Sequence, residues 1–118
     1  MKTADVFSVE QLGRVSVITI HARELDTPTS EELSSCLLAL LNGAKTYRYV
    51  LDFEQVVYME SSCFGALVTF LKWLSRFDGK IALANVSENV RFLFHVTKLD
   101  AVFPIHSTLD AAIKSIEK

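Results

Sequence analysis

Cysteine, glycine and proline are all scarce in this chain, and charge of either sign never gathers into blocks. Cys36 and Cys63 are the only cysteines. They lie far apart, with no C-x-x-C and no histidine at metal-ligand spacing, which argues against a disulfide scaffold or a cysteine-built metal site. Four Gly and two Pro in 118 residues leave little material for linkers or low-complexity segments, and 50% apolar against 22% charged residues is the balance of a packed chain. Twelve basic and fourteen acidic side chains give a net charge of -2, with no Lys/Arg block to neutralise a phosphate backbone. Direct nucleic-acid binding is therefore not expected. Apolar runs such as residues 65–71 are far shorter than the roughly twenty residues that span a bilayer. The first twenty residues carry Asp5, Ser8, Glu10, Gln11 and Arg14 among their hydrophobic positions, so they form no signal-peptide core. No membrane insertion and a cytoplasmic location are the expectations.

The length suits one domain over residues 1–118, long enough to bury about two thirds of its unfolded surface. Val6, Phe7 and Val9, then Gln11-Leu12-Gly13-Arg14, then the β-branched run from Val15 to Ile20, predict a hairpin turning near Gly13. At Thr27 the period changes. Thr27 suits an N-cap, Pro28 a first helical position, and Leu33, Cys36, Leu37, Leu40 and Leu41 form one helical stripe ended by Asn42-Gly43. Residues 47–53 lack clean alternation and predict a central strand covered on both faces.

A second helix is predicted from Ser61 or Ser62 to about Phe77, stopped by Asp78-Gly79. Residues 81–84 read as a short buried strand, Ser87 caps a third helix carrying Val90, Leu93 and Phe94, and a strand near residues 102–105 precedes a helix begun by Ser107 or Thr108. The alternation predicts an α/β fold: a small, mostly parallel or mixed sheet with about four helices.

Chemistry concentrates between Val50 and Leu67, which reads strand, loop, paired serines, helix. A serine at a helix start can simply cap it, its oxygen accepting from an unpaired backbone N–H. It can instead accept a phosphate, because the same end offers free N–H donors and a partial positive charge. In the second helix Phe64, Leu67, Val68, Leu71 and Leu74 form one stripe and Ala66, Phe70, Trp73 and Phe77 another. Either the helix is wedged inside the core, or Phe70, Trp73 or Phe77 reach solvent as an aromatic anchor for a partner.

The run from Val50 to Leu67 resembles the strand-loop-helix signature of the STAS family, whose anti-sigma factor antagonists typically read V-L-D-L, a short spacer, then F-M-D-S-S-G. Arg23-Glu24-Leu25-Asp26 resembles the family's G-E-L-D segment, and the stretch from Asn85 to Phe94 is similar to its S-P-x-V-x-R-L-F helix start. The resemblance implies the STAS fold, with Ser61 as phosphoacceptor and Asp26, Glu60, Ser61, Ser62 and Cys63 in a partner-binding surface. Ser62 would support the helix cap and Phe64 would hold the helix against the sheet. It also implies the partner, a kinase-type anti-sigma factor that carries its own ATP and serine kinase activity, so that this chain needs no cofactor. A weak homodimer is compatible with it.

Four departures stand out: Glu60 where antagonists usually carry Asp, Cys63 where they carry Gly, Arg23 for the Gly before Glu24, and no Gly in Val96-Thr97-Lys98-Leu99. The alternative is a STAS subunit without phosphorylation, an accessory or scaffold in a transporter or a stress-sensing complex. An enzyme is the rival class. Its best residue is Cys63, a thiol near a helix N-terminus. A phosphatase loop needs Arg six residues later, where Thr69 stands, and His21, His95 and His106 are scattered, so no catalytic residues and no metal ligands are assigned.

Overall fold

A computed structural model describes residues 6–44 and 47–117. Strands β1 (Phe7–Leu12) and β2 (Val15–Ile20) form the predicted antiparallel hairpin, with Gly13 at φ +62°, the left-handed conformation that glycine adopts most readily. After β3 (Glu24–Leu25) come α1 (Thr27–Asn42), β4 (Arg48–Asp52), β5 (Tyr58–Met59) and α2 (Ser61–Ser75). Then follow β6 (Lys80–Ala84), α3 (Glu88–Val96), a 3₁₀ turn (Leu99–Ala101), β7 (Ile105–His106) and α4 (Leu109–Ile116).

The main sheet runs β1-β2-β4-β6-β7, with β1 antiparallel and the others parallel. Strand β4 is central, as its continuous apolar run predicts. Its alternate residues feed two cores: Tyr49 and Leu51 join Leu33, Leu37, Leu67, Phe70, Val90 and Phe94 beneath α1, α2 and α3, while Val50 joins Val15, Val17, Ala82, Ala84, Ala112 and Ile116 beneath α4. The Arg48 side chain donates Nε–H to the Ile116 carbonyl at 2.6 Å, fixing the end of α4 to the central strand.

Several expectations need correction. Asp26 and not Thr27 caps α1: its backbone is extended, and its Oδ1 accepts from the Thr29 N–H at 2.9 Å. Helix α2 ends at Ser75, where Asp78 with φ +53° turns the chain and Gly79 sits so close to Leu74 that an added Cβ would overlap that side chain. The last strand is Ile105–His106, because a 3₁₀ turn takes up the chain before it. Phe70 does not reach solvent; it is buried edge-on against Tyr49 at 5.3 Å. Trp73 is half-buried and Phe77 is 48% exposed, stacked on Tyr47 at 4.6 Å.

Candidate functional site

Two short strands organise the site. Strands β3 and β5 pair in parallel, Glu24 with Tyr58 and Leu25 with Met59, and the ladder continues as the Glu60 N–H donates to the Leu25 carbonyl at 2.9 Å. On the other side the Arg23 carbonyl accepts from the Val57 N–H at 2.7 Å. The segments entering α1 and α2 are therefore laced together, and the two helices begin side by side. Below them, Asp52 at the end of β4 is 7% exposed; its Oδ1 accepts from the Glu54 N–H and from Asn85 Nδ2, both at 3.1 Å. That pairing satisfies a buried carboxylate and shapes the loop leading to β5.

The expectation that a serine side chain caps α2 is not met. Glu60 occupies the N-cap position in extended conformation and makes no side-chain cap bond, so Ser61 and Ser62 are the first two helical residues. Their hydroxyls have different surroundings. Ser62 Oγ lies 3.2 Å from Thr27 Oγ1 and 3.3 Å from Ser30 Oγ, both on the first turn of α1. Thr27 Oγ1 donates to Glu60 Oε1 at 3.0 Å, and Ser30 Oγ donates to the Thr27 carbonyl at 2.9 Å. Ser62 thus clamps one helix start to the other and supports no cap. Ser61 is exposed, and its hydroxyl has no hydrogen-bond partner among the described residues.

Thr27, expected only as a cap, and Ser30, which no sequence signal had marked, are both members of this cluster. Their three-residue spacing puts both hydroxyls on one helix face, a legible signal once the helix start is known.

Asp26 stands at the head of α1, one residue from the clamp. Hydrogen bonds from Thr29, side chain first and then backbone, hold its carboxyl below the usual aspartate range. A lowered folded-state pKa means that the cap's stabilisation is complete above the unfolded value and disappears as pH falls through the folded one. Asp26→Asn keeps an oxygen acceptor but has no carboxylate to protonate. Urea midpoints measured from neutral to acid pH are expected to fall less steeply in this variant; identical acid limbs would remove Asp26 from the balance.

Cys63 faces the other way. It is fully buried, and burial pushes its thiol up to about 12. The free N–H groups of the helix start do not offset that desolvation, so the thiolate required of a nucleophile is absent near neutral pH. Cys63 is therefore poorly placed to act as a nucleophile. Burial also removes the Cys63 sulfur from any surface a partner could touch, leaving only its backbone near the serines. Iodoacetamide at neutral pH is expected to leave Cys63 unmodified in the folded protein and to modify it fully in urea, with mass spectrometry of the peptide as the readout; rapid native labelling would contradict this burial.

Among the described residues no three or more His, Cys, Asp or Glu are grouped to hold a metal ion, and no helix is long and apolar enough to cross a membrane.

The sequence pattern of the STAS domain matches residues 7–112. The chain belongs to the STAS domain family. Solved structures agree. An anti-sigma factor antagonist from Mycobacterium paratuberculosis is 25% identical, with a TM-score of 0.83 over 95% of this chain and 93% of that one. An anti-sigma factor antagonist (STAS) domain protein from Planctomyces limnophilus is 28% identical, with a TM-score of 0.82 over 92% of this chain and 95% of that one. The anti-sigma factor antagonist SpoIIAA in its unphosphorylated form is 25% identical, with a TM-score of 0.76 over 92% of this chain and 95% of that one. The Bacillus SpoIIAA is also known in a phosphorylated form. The STAS fold of this chain is thus the one inferred from the residue 50–67 signature, with α1 to α4 packed on a mixed five-stranded sheet among the described residues.

Proposed function

We propose that this STAS domain is an anti-sigma factor antagonist: it binds a kinase-type anti-sigma factor in the cytoplasm and is released when that partner phosphorylates Ser61. The observation that carries the reading is the contrast within the serine pair. Ser61 is an exposed hydroxyl at the first position of α2 with no partner among the described residues, while Ser62 is held by Thr27 and Ser30. Both residues are exposed, but only the Ser61 hydroxyl is free of contacts with the described residues, while Ser62 ties the two helix starts together. The match to antagonists at 25% identity and above over almost all of both chains supports this role over an accessory subunit of a transporter or a stress-sensing complex.

In this mechanism ATP belongs to the partner. The Ser61 oxygen forms a bond to the γ-phosphorus, the bond to the ADP oxygen breaks, and the hydroxyl proton passes to a base on the partner. The product carries roughly two negative charges at pH 7. Its oxygens can accept from the free N–H groups of the first turn of α2, so the modified domain stays folded. Nearby stand the carboxylates of Glu60 and Asp26, which would help position the unmodified domain against the kinase. After transfer, the added charge and bulk fall on the docked surface and drive separation.

The test is incubation of the immobilised domain with lysate of its source organism, with ATP or with ADP, followed by mass spectrometry of retained proteins and modified serines. Retention of an anti-sigma kinase in ADP, with phosphate on Ser61 only in ATP, is the expected result. Transporter subunits retained equally in both, with Ser61 unmodified, would overturn it.

A further inference from the structure

Strand register places three polar side chains in one row on the sheet face that α1 and α2 cover. Gln11 lies opposite Ser16, and Ser16 lies beside Tyr49. Ser16 and Tyr49 are only 7% and 1% exposed. Polar groups in such a position are costly unless paired. Ser16 Oγ donates to Gln11 Oε1 at 2.8 Å, and Gln11 Nε2 donates to the Gly13 carbonyl at 3.1 Å. The Tyr49 hydroxyl makes no hydrogen bond to the described residues and is not a fully enclosed polar atom; Tyr49 lines the open space above the row. Above this row a cavity of about 430 Å³ opens between the hairpin and the C-terminal end of α1, with Val9 and Leu40 as its apolar walls. That volume lies in the range of small-molecule sites, which pair apolar walls with a few convergent polar groups.

We infer that this cavity is a binding site for a small uncharged amphiphile, a ring or short chain carrying one hydroxyl. The ligand oxygen pairs with the Tyr49 hydroxyl and with Ser16 Oγ, and its apolar part lies against Val9 and Leu40.

The chemistry follows from the lining. The described lining residues are uncharged, and the C-terminal end of α1 carries a partial negative charge, which disfavours an anionic ligand beside it. Ser16 Oγ gives its proton to Gln11 and keeps lone pairs free to accept from a hydroxyl. Burial, with Tyr47 as a smaller contribution, raises the Tyr49 pKa, which keeps the phenol protonated and able to donate. A ligand hydroxyl, at once donor and acceptor, meets both needs. Leu40 lies thirteen residues along α1 from Thr27, about 20 Å at the helical rise, so the site is separate from the serine clamp.

The test uses para-fluorophenol with the full chain, followed by fluorine NMR of the ligand and by amide chemical shifts of the protein. Saturable shifts at Gln11, Ser16 and Gly43 are expected, with a Kd on the order of 1 mM for so small a ligand. Tyr49→Phe keeps the ring against Phe70 and is expected to weaken binding about threefold to tenfold, the range for one lost neutral hydrogen bond. Leu40→Phe, which fills the cavity from a half-buried position, is expected to abolish the shifts. The inference is overturned by shifts confined to other surfaces, by equal binding to Tyr49→Phe, or by no saturation up to about 10 mM, where even weak fragments bind; the last outcome means a groove that holds water only.

Discussion

If the proposed anti-sigma kinase is the partner, Ser61→Asp is expected to weaken its binding by about a hundredfold, ~3 kcal/mol, whereas Ser61→Ala binds within a few-fold of the unaltered domain. The size follows from placing an unpaired charge in a docked surface, a change that typically costs 2–5 kcal/mol, about the effect of breaking a buried charge pair. The contrast between the two substitutions separates charge from loss of the hydroxyl. Alanine removes nothing that the folded chain uses, because the Ser61 hydroxyl has no partner among the described residues. Ser62→Ala is the matching control. It removes the contact of Ser62 with Thr27 and Ser30 while leaving the bond from Thr27 to Glu60 in place. Calorimetric titration with ADP present reads all three, and equal affinity of Ser61→Asp and Ser61→Ala would sink the switch.

The second large effect concerns Phe94. Its ring is fully buried and meets Phe64 at 5.0 Å, Phe103 at 6.0 Å and Phe53 at 6.4 Å, each edge-on. Those three partners come from α2, the segment before β7 and the residue just after β4, so one side chain joins three parts of the core. Phe94→Ala is expected to cost about 3–5 kcal/mol, the range for a buried phenylalanine whose site cannot collapse. Domains of this size hold only about 5–15 kcal/mol in total, so the variant would be close to unfolding. Urea denaturation followed by far-UV circular dichroism measures the loss. A cost below about 1 kcal/mol would mean that the surrounding rings close the gap and that the edge contacts add little. Phe64 lies on the first turn of α2, so this core is also what seats the serine pair.

Most of the fold was legible because long elements announce themselves. Sixteen helical residues with Leu33, Leu37 and Leu41 on one face, a five-residue central strand and a hairpin around Gly13 leave period and punctuation in the sequence. Strands β3 and β5 left none, since two residues carry no periodicity, yet this ladder is what brings the helix starts together. The cap of α1 was read as Thr27, whereas Asp26 one residue earlier is as good a capping type, and only backbone conformation decides between them.

At α2 the serines read equally well as caps, and the structure separates them through contacts with residues some thirty positions earlier in the chain. The inward turn of Cys63 was legible in principle from its spacing to Leu67, Phe70 and Leu74. Position 98 shows the reverse case. Where the family usually supplies a glycine after the third helix, Lys98 itself takes φ +63°, a conformation that costs a non-glycine residue about 1–2 kcal/mol.

Among the described residues, the second face of the sheet has one cover. Helix α4 has eight residues and seals Val15, Val17, Val50, Ala82 and Ala84 largely with Ala112 and Ile116, where the other face has three helices over it. Cooperative units with few buried contacts open first. Amide hydrogens of α4 should therefore exchange through a partial opening well below the free energy of global unfolding, while those of β4 wait for the whole domain. In each such event a flat valine-rich surface is uncovered for a moment, and the helix that closes over it sets how often the folded protein offers another chain a place to stick.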